Sequence, residues 1–215
     1  MKSDPLFEYA EQHSTPEYPL LDRLNRETHL KQVYPRMLAG HMQGMLLRFI
    51  SQMIKPQRIL EIGTFTGYSA INLAMGLYSL PREEGILHTI EVDPEQEEII
   101  RKYLTEAGLE KKVILHIGDA MKIIPKLDET WDLVYIDADK PNYLNYYKLV
   151  FDRVRPGGFI LADNAFWDGK VLEPNTRSRD TKGIIEFNEF VLKDDRVENL
   201  LLPFRDGLML VRKKA

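Results

Sequence analysis

The sequence predicts an α/β chain, doubly wound around a mostly parallel sheet, and three observations lead there. Five apolar runs, Arg58–Ile62, Ile86–Val92, Lys112–Ile117, Trp131–Ile136 and Phe159–Ala162, alternate with amphipathic stretches at the spacing of βαβ units. Within these runs there is little polar alternation, as expected of strands covered on both faces. The ending breaks the rhythm: Arg196–Leu202 and Leu208–Lys213 are joined by a turn through Pro203, Arg205, Asp206 and Gly207, too short for a crossover. The result is a Rossmann-like sheet of seven strands, one of them antiparallel, with right-handed crossovers and helices on both faces.

At 215 residues the chain has room for one sizeable core and is read as a single domain, with N-terminal helices over 1–55 and the α/β core over 56–215. A net charge of -4 and the lack of any basic cluster interleaved with aromatics argue against a nucleic-acid partner. Zero cysteines exclude disulfides, thiolate metal sites and a cysteine nucleophile. No apolar run reaches membrane-spanning length and Met1-Lys2 opens no signal core, so a cytoplasmic protein with no membrane partner is expected.

In chain order, short helices are expected near Asp4–His13 and Pro19–Lys31, with prolines in first turns or links. Gly40–Ile54 is a clearer helix. Its Met42, Met45, Leu46, Phe49, Ile50, Met53 and Ile54 recur at helical spacing, a face suited to core or to a dimer interface. His41 at its start reads as solvated. After the first strand, Gly63-Thr-Phe-Thr-Gly67 leads into a helix from Tyr68 to about Tyr78. Asp93-Pro94-Glu95-Gln96 carries an N-cap and a capping-box spacing for the next, which Gly108 stops. A short helix should run from Gly118-Asp119 to Leu127, and another from about Asn142 to Arg153. Pro156-Gly-Gly158 reads as a turn, residues 166–182 as polar loop, and Gly183–Lys193 as the last helix.

In a parallel sheet the residues after each strand share one rim, where ligands of open α/β sheets bind. Here that rim collects Glu61, Gly63, Phe65 and Ser69, then Glu91 and Asp93, then Asp119 and Ala120, then Asp137, Asp139 and Lys140, then Asp163, Asn164 and Trp167. Gly63-x-x-x-Gly67 is neither the dinucleotide fingerprint nor a phosphate-binding loop, so no diphosphate is expected. Glycines that admit a ligand to the backbone, with Glu91 placed to accept from ribose hydroxyls, suggest a nucleoside; a close-packed turn is the alternative for the glycines alone. Asp137, Asp163 and Asn164 form an all-oxygen set suited to a hard cation, Mg²⁺ first, with Mn²⁺ or Ca²⁺ as alternatives.

These residues also carry a family likeness. Ile59-Leu-Glu-Ile-Gly-Thr-Phe-Thr-Gly-Tyr-Ser69, Thr89-Ile-Glu91, Ile136-Asp-Ala-Asp-Lys140, Asp163-Asn164 with Trp167, and Asp206-Gly207 resemble the cation-dependent class I O-methyltransferases, collinearly from about Met37 to Arg212. That family includes the caffeoyl-coenzyme A and catechol O-methyltransferases, and the caffeoyl-coenzyme A-like branch with its bacterial relatives looks nearest. The resemblance implies S-adenosylmethionine as methyl donor. Glu61, Gly63, Phe65 and Ser69 would line its methionine part and Glu91 its ribose. Asp119 and Ala120 would flank its adenine, with Ala39 and Asp137 also in contact. Asp137, Asp163 and Asn164 would hold the cation, and Lys140 would be the general base, with Asp137 beside it. Trp167 and Asp206 would lie near a small aromatic acceptor, a vicinal diol. A homodimer through the N-terminal helices is expected from the methionine-rich face and the family.

Two departures bear on the acceptor. Leu200-Leu-Leu-Pro203 is apolar where the mammalian catechol enzyme has an acidic contact, and Thr176–Lys182 does not reproduce the plant enzymes' acceptor segment. Two other readings use the same sheet. A nicotinamide-dependent oxidoreductase would need the missing glycine fingerprint and a Tyr-x-x-x-Lys pair. A non-catalytic nucleoside-binding module would have no use for Asp137, Lys140, Asp163 and Asn164.

Overall fold

A computed structural model describes residues 5–81, 83–173 and 176–215. Among them run helices α1 (Pro5–Gln12), α2 (Pro19–Lys31) and α3 (His41–Ile54), then strand β1 (Arg58–Ile62), α4 (Tyr68–Ala74) and β2 (Ile86–Glu91). They are followed by α5 (Glu97–Glu106), β3 (Val113–Ile117), α6 (Ala120–Ile123), β4 (Trp131–Ile136), α7 (Tyr143–Phe151) and β5 (Val154–Ala162). Helix α8 (Arg179–Lys193) and strands β6 (Val197–Leu202) and β7 (Leu208–Lys213) close the chain.

The sheet has seven strands in the order β3-β2-β1-β4-β5-β7-β6. Strands β1 to β5 pair in parallel; β7 runs antiparallel to both β5 and β6. The expected architecture is therefore the observed one. Its topological switch lies between β1 and β4, because the chain builds outward from β1 to β3 and then returns to start the other half.

Two apolar layers cover the sheet. Period-two alternation sends Leu60, Ile62, Val134, Ile136 and Ile160 toward α7 and α8, where they meet Tyr147, Phe187 and Val191. Ile59, Leu87, Leu133, Tyr135 and Leu161 face the other way, toward Leu24, Leu47 and Ile71 of α2, α3 and α4. Each fully buried Leu or Ile contributes about 1.5–3 kcal/mol by leaving water. Register places Glu61 beside Thr89 and Tyr135 in this second layer, so three polar side chains enter an otherwise apolar face near the rim.

Several sequence expectations are corrected here. Helix α4 stops at Ala74, short of Tyr78: Gly76 packs against Ser51 of α3 with no room for a Cβ, and the chain turns to pair Tyr78 N–H with the Pro56 carbonyl. Pro156-Gly-Gly158 lies inside β5, not in a turn between elements. Val154 pairs with Trp131 and Phe159 with Leu133, so the intervening residues bulge out, with Gly157 at φ 73°. Helix α8 begins at Arg179, within the stretch read as loop, because Ser178 Oγ accepts from Thr181 N–H and caps it. Pro174 and Asn175 of that stretch, and Asp4 of the first helix, lie outside the described residues.

Helix α3 buries Gln43, Gly44, Leu47, Ile50 and Ser51; of the expected methionine-rich face only Ile50 is buried, while Phe49 is 50% and Met53 74% exposed. The cause is close packing on α4: a Cβ on Gly44 would lie 2.7 Å from both Tyr68 and Asn72. His41, expected in solvent, bonds through Nε2 to the Thr15 carbonyl at 2.9 Å. No helix among the described residues is long and apolar enough to cross a membrane.

Candidate active site

The rim of the switch point is built by backbone contact. Gly63, at φ 96°, has the Asp137 carbonyl oxygen 1.9 Å from where its Cβ would be, so the glycine turn after β1 lies directly against the end of β4. Ladder bonds continue past the strand ends, from Gly63 N–H to Ile90 O (3.0 Å), Asp137 N–H to Ile62 O (2.9 Å) and Asp163 N–H to Ile136 O (3.0 Å). The acidic ends of β4 and β5 are thus fixed beside the glycine turn.

Glu91 closes one side. Its Oε2 accepts from Phe65 N–H at 2.6 Å and its Oε1 from Asp93 N–H at 2.9 Å. Phe65 reaches this position at φ 54°, so the turn is folded around the carboxylate. Gly118 N–H donates to the Glu91 carbonyl at 2.7 Å, which brings the end of β3 alongside. There Asp119 caps α6 through Met121 N–H (2.9 Å) and Ala120 is buried.

Glu61 lies fully buried beneath the glycine turn. Its Oε2 accepts from Thr89 at 2.5 Å, and Thr64 bonds to the same Thr89 hydroxyl at 2.5 Å. Among the described residues its Oε1 has no hydrogen-bond partner. Burial pushes this carboxyl up to about 8, outweighing the opposite influence of the neighbouring Ser69 and Thr89 hydroxyls. An orphaned carboxyl oxygen under a glycine turn is suited to meet a polar group of a ligand.

The ends of β4 and β5 carry a second cluster. Lys140, only 7% exposed, donates from Nζ to Tyr143 (2.6 Å), Asn164 Oδ1 (2.8 Å) and Asp137 Oδ1 (3.1 Å). The Trp167 ring centroid lies 5.5 Å from the same ammonium. Tyr143 passes a hydrogen bond to the Asp163 carbonyl at 3.0 Å. Helix α8 holds Lys140 in place, since a Cβ on Gly183 would lie 2.4 Å from the Lys140 carbonyl. The Asp163 side chain is buried; Oδ1 accepts from Asn164 N–H (2.7 Å), and Oδ2 from Tyr135 (3.0 Å) and Gln43. Burial, with the Asp137 charge nearby, raises the Asp163 carboxyl above the ordinary carboxylate range.

The expected site residues therefore fall into two groups on one rim. Glu61, Gly63, Phe65, Ser69, Glu91, Asp119 and Ala120 surround the glycine turn; Asp137, Lys140, Asp163, Asn164 and Trp167 gather at the ends of β4 and β5. Asp206 joins the second group by contact with protein: Oδ2 accepts from Asn164 (3.2 Å) and Oδ1 from Asp168 N–H (2.6 Å). Ala39 is buried on the segment before α3 and lines a cavity of about 430 Å³ with Glu17, His41 and Arg205. Asp139 faces away from the cluster, accepting from Tyr146 (2.5 Å) and Asn142 (2.6 Å).

A hard cation needs oxygen donors, and here the Lys140 ammonium already draws together Asp137 Oδ1 and Asn164 Oδ1. The described residues contain no group of three or more His, Cys, Asp or Glu arranged to hold a metal. Two aspartates and an asparagine amide fit a cation only if solvent or acceptor oxygens complete the shell. Sequence reading missed Gln43, Tyr135 and Tyr143, which touch this cluster, and Arg205, which reaches it through Gln43.

Known proteins resemble the chain throughout. An O-methyltransferase family model matches residues 11–214. Catechol O-methyltransferase domain-containing protein 1 of Mus musculus is 35% identical over 99% of this chain and 81% of its own. Caffeoyl-CoA O-methyltransferase 2 of Populus trichocarpa is 30% identical over 99% of this chain and 90% of its own. Among solved structures, the O-methyltransferase TomG of Streptomyces achromogenes, determined in complex with SAM, superposes with a TM-score of 0.90 at 29% identity, covering 99% of this chain and 97% of that one. The Bacillus cereus O-methyltransferase in complex with SAH gives 0.90 at 28% identity, covering 97% of each chain. By sequence and by fold, the chain belongs to the O-methyltransferase family of S-adenosylmethionine-dependent enzymes.

Proposed function

We propose that the chain transfers a methyl group from S-adenosylmethionine to one hydroxyl of a vicinal aromatic diol, with a divalent cation bound at Asp137, Asp163 and Asn164 and Lys140 as general base. One observation carries this reading. The Lys140 amine lies 3.1 Å from an Asp137 oxygen and 2.8 Å from the Asn164 amide oxygen at the strand ends, beside the glycine turn. The turn fits the methyl donor: Glu91 offers a fixed carboxylate at the ribose position and Glu61 an unpaired oxygen beneath.

The chain's own groups divide the work. Asp137 and Asn164 hold the amine within reach of the acceptor, while Trp167 and Tyr143 shield it from bulk water. When bound, the cation supplies positive charge that favours the phenolate over the phenol. Lys140 then takes the hydroxyl proton as the O–CH₃ bond forms and the sulfonium's S–CH₃ bond breaks, leaving S-adenosylhomocysteine. Proximity of the three groups turns a poor bimolecular reaction into an oriented one.

The test is methyl transfer to a catechol in the presence of a chelator. Activity should vanish and return with added Mg²⁺; full activity in chelator would remove the cation from the reading. A screen of caffeoyl-type esters, flavonoids and simple catechols, with product regiochemistry, then assigns the acceptor. The exposed Phe49 and Met53 side of α3 supports a homodimer as part of the same reading.

A further inference from the structure

Gln43 lies 4% exposed on the inner face of α3, far from its neighbours in sequence but in contact with two parts of the site. Its Nε2 donates to Asp163 Oδ2 and, at 3.2 Å, to the Tyr135 hydroxyl. Its Oε1 accepts from Arg205 Nη1 at 2.9 Å. Arg205 belongs to the turn between β6 and β7, at φ 50°, and the next residue, Asp206, accepts from Asn164. One turn therefore reaches both side chains at the end of β5: Asn164 directly, and Asp163 through Gln43.

The direction of this chain of bonds follows from chemistry. A guanidinium only donates, so only the amide oxygen of Gln43 can face it. That leaves the amide NH₂ toward Asp163, whose carboxylate only accepts when ionised. If the amide turned over, its oxygen would face the carboxylate oxygen and its NH₂ the guanidinium, and both bonds would become repulsive. Arg205 thus sets the orientation of Gln43, and Gln43 with Tyr135 fixes the rotamer of Asp163. The turn itself is anchored by Ala165 N–H to the Gly207 carbonyl (3.0 Å) and Phe166 N–H to the Asp206 carbonyl (2.8 Å).

We infer that Gln43 is a positioning residue for the cation ligand Asp163, oriented by Arg205 of the β6–β7 turn, so that cation affinity depends on a side chain of α3 and on that turn. The inference rests on the cation reading above. Partners that orient metal-binding carboxylates are worth about 10- to 100-fold in metal affinity.

The experiment titrates Mn²⁺ into the full chain with S-adenosylhomocysteine present, reading bound metal from the loss of the free-ion electron paramagnetic resonance signal. Wild type should bind one ion and Asp163→Asn should lose it. Gln43→Met, of similar length but without hydrogen bonds, should bind at least about 10-fold more weakly. Its methyl-transfer rate should recover at high Mn²⁺, and its affinity for S-adenosylhomocysteine should stay unchanged. A merely structural defect would not produce that split between metal affinity and saturated rate. Arg205→Ala, at an exposed position, should weaken Mn²⁺ binding in the same direction, and Arg205→Lys, which keeps a donor, should restore it.

If wild type fails to bind Mn²⁺, or Asp163→Asn binds as wild type does, the cation reading fails and this inference with it. If Asp163→Asn loses the metal while Gln43→Met binds like wild type, the positioning role alone is overturned. Should Gln43→Met fail to fold, Arg205→Ala decides, and undiminished affinity there overturns the inference.

Discussion

Gly63 and Asp137 touch through their backbones: the Asp137 carbonyl oxygen occupies the space 1.9 Å from where a Gly63 Cβ would stand. The contact couples the two halves of the site, since one residue belongs to the turn after β1 and the other ends β4. Gly63→Ala must push the strands apart and strain a φ of 96° at once. We expect a loss of about 2–4 kcal/mol from overpacking and backbone strain together, read as a lowered urea midpoint. Methyl transfer should fall further than stability does, because Asp137 moves with its carbonyl. A variant as stable and active as wild type would show that the turn yields freely.

Lys140 is held by Tyr143, Asn164 and Asp137, with its chain position fixed by Gly183 of α8. Lys140→Ala should lower kcat by about 10²- to 10⁴-fold, the range for loss of a general base. Binding of S-adenosylmethionine, measured by calorimetry, should change little. Normal turnover in the variant would take the proton-accepting role away from Lys140.

Much of this arrangement is legible in the sequence, and the exceptions share a cause. Asp137, Asp163 and Asn164 end apolar runs, so strand direction alone puts them on one rim. The hairpin and its antiparallel strand follow from a connection too short to cross over. Gln43 and Arg205 stay hidden because their partners lie 120 and 162 residues away in sequence. Helix α3 misleads for a related reason: its buried stripe contains Gln43, Gly44 and Ser51, which no apolar pattern would select, while its methionines point outward. In α8 the cap at Ser178 was readable, but the polar first turn Arg179-Asp-Thr-Lys182 resembles loop until the cap is given weight.

Glu91 is pinned by Phe65 and Asp93 amides, so its carboxylate is presented without freedom to turn. Glu91→Ala should weaken S-adenosylmethionine binding by about 10- to 100-fold, matching loss of hydrogen bonds to a charged group. Glu91→Gln should also lose affinity, because one backbone N–H would then face an amide NH₂. Titration calorimetry distinguishes the outcomes; unchanged affinity in both variants would place the ribose elsewhere.

Glu61 makes stability depend on pH. Its carboxyl is raised from 4.5 to about 8 by burial. Between those values the folded chain holds a proton that the unfolded chain has released, so stability falls as pH rises through this window. Glu61→Gln keeps a neutral acceptor for Thr89 and removes the titration. The melting temperature of Glu61→Gln relative to wild type should therefore climb between about pH 5 and about pH 9 in ligand-free protein. Calorimetric scans with a constant difference across that range would mean Glu61 titrates as an ordinary carboxylate.

The outward stripe of α3 gives the last prediction. Phe49 and Met53 are 50% and 74% exposed, and Met42 and Met45 lie partly exposed on the same side. Burying this surface against a second copy would gain about 25 cal/mol per Å² of apolar area, whereas placing charge there would cost solvation at an interface centre. Phe49→Glu combined with Met53→Glu should leave the monomer folded, since neither side chain is buried within it. In light scattering after size exclusion, wild type should run at twice the 25.1 kDa of one chain and the double variant at that mass itself. A variant that stays dimeric would move the interface to another face; a wild type found at 25.1 kDa would leave the methionine stripe without a partner of its own kind.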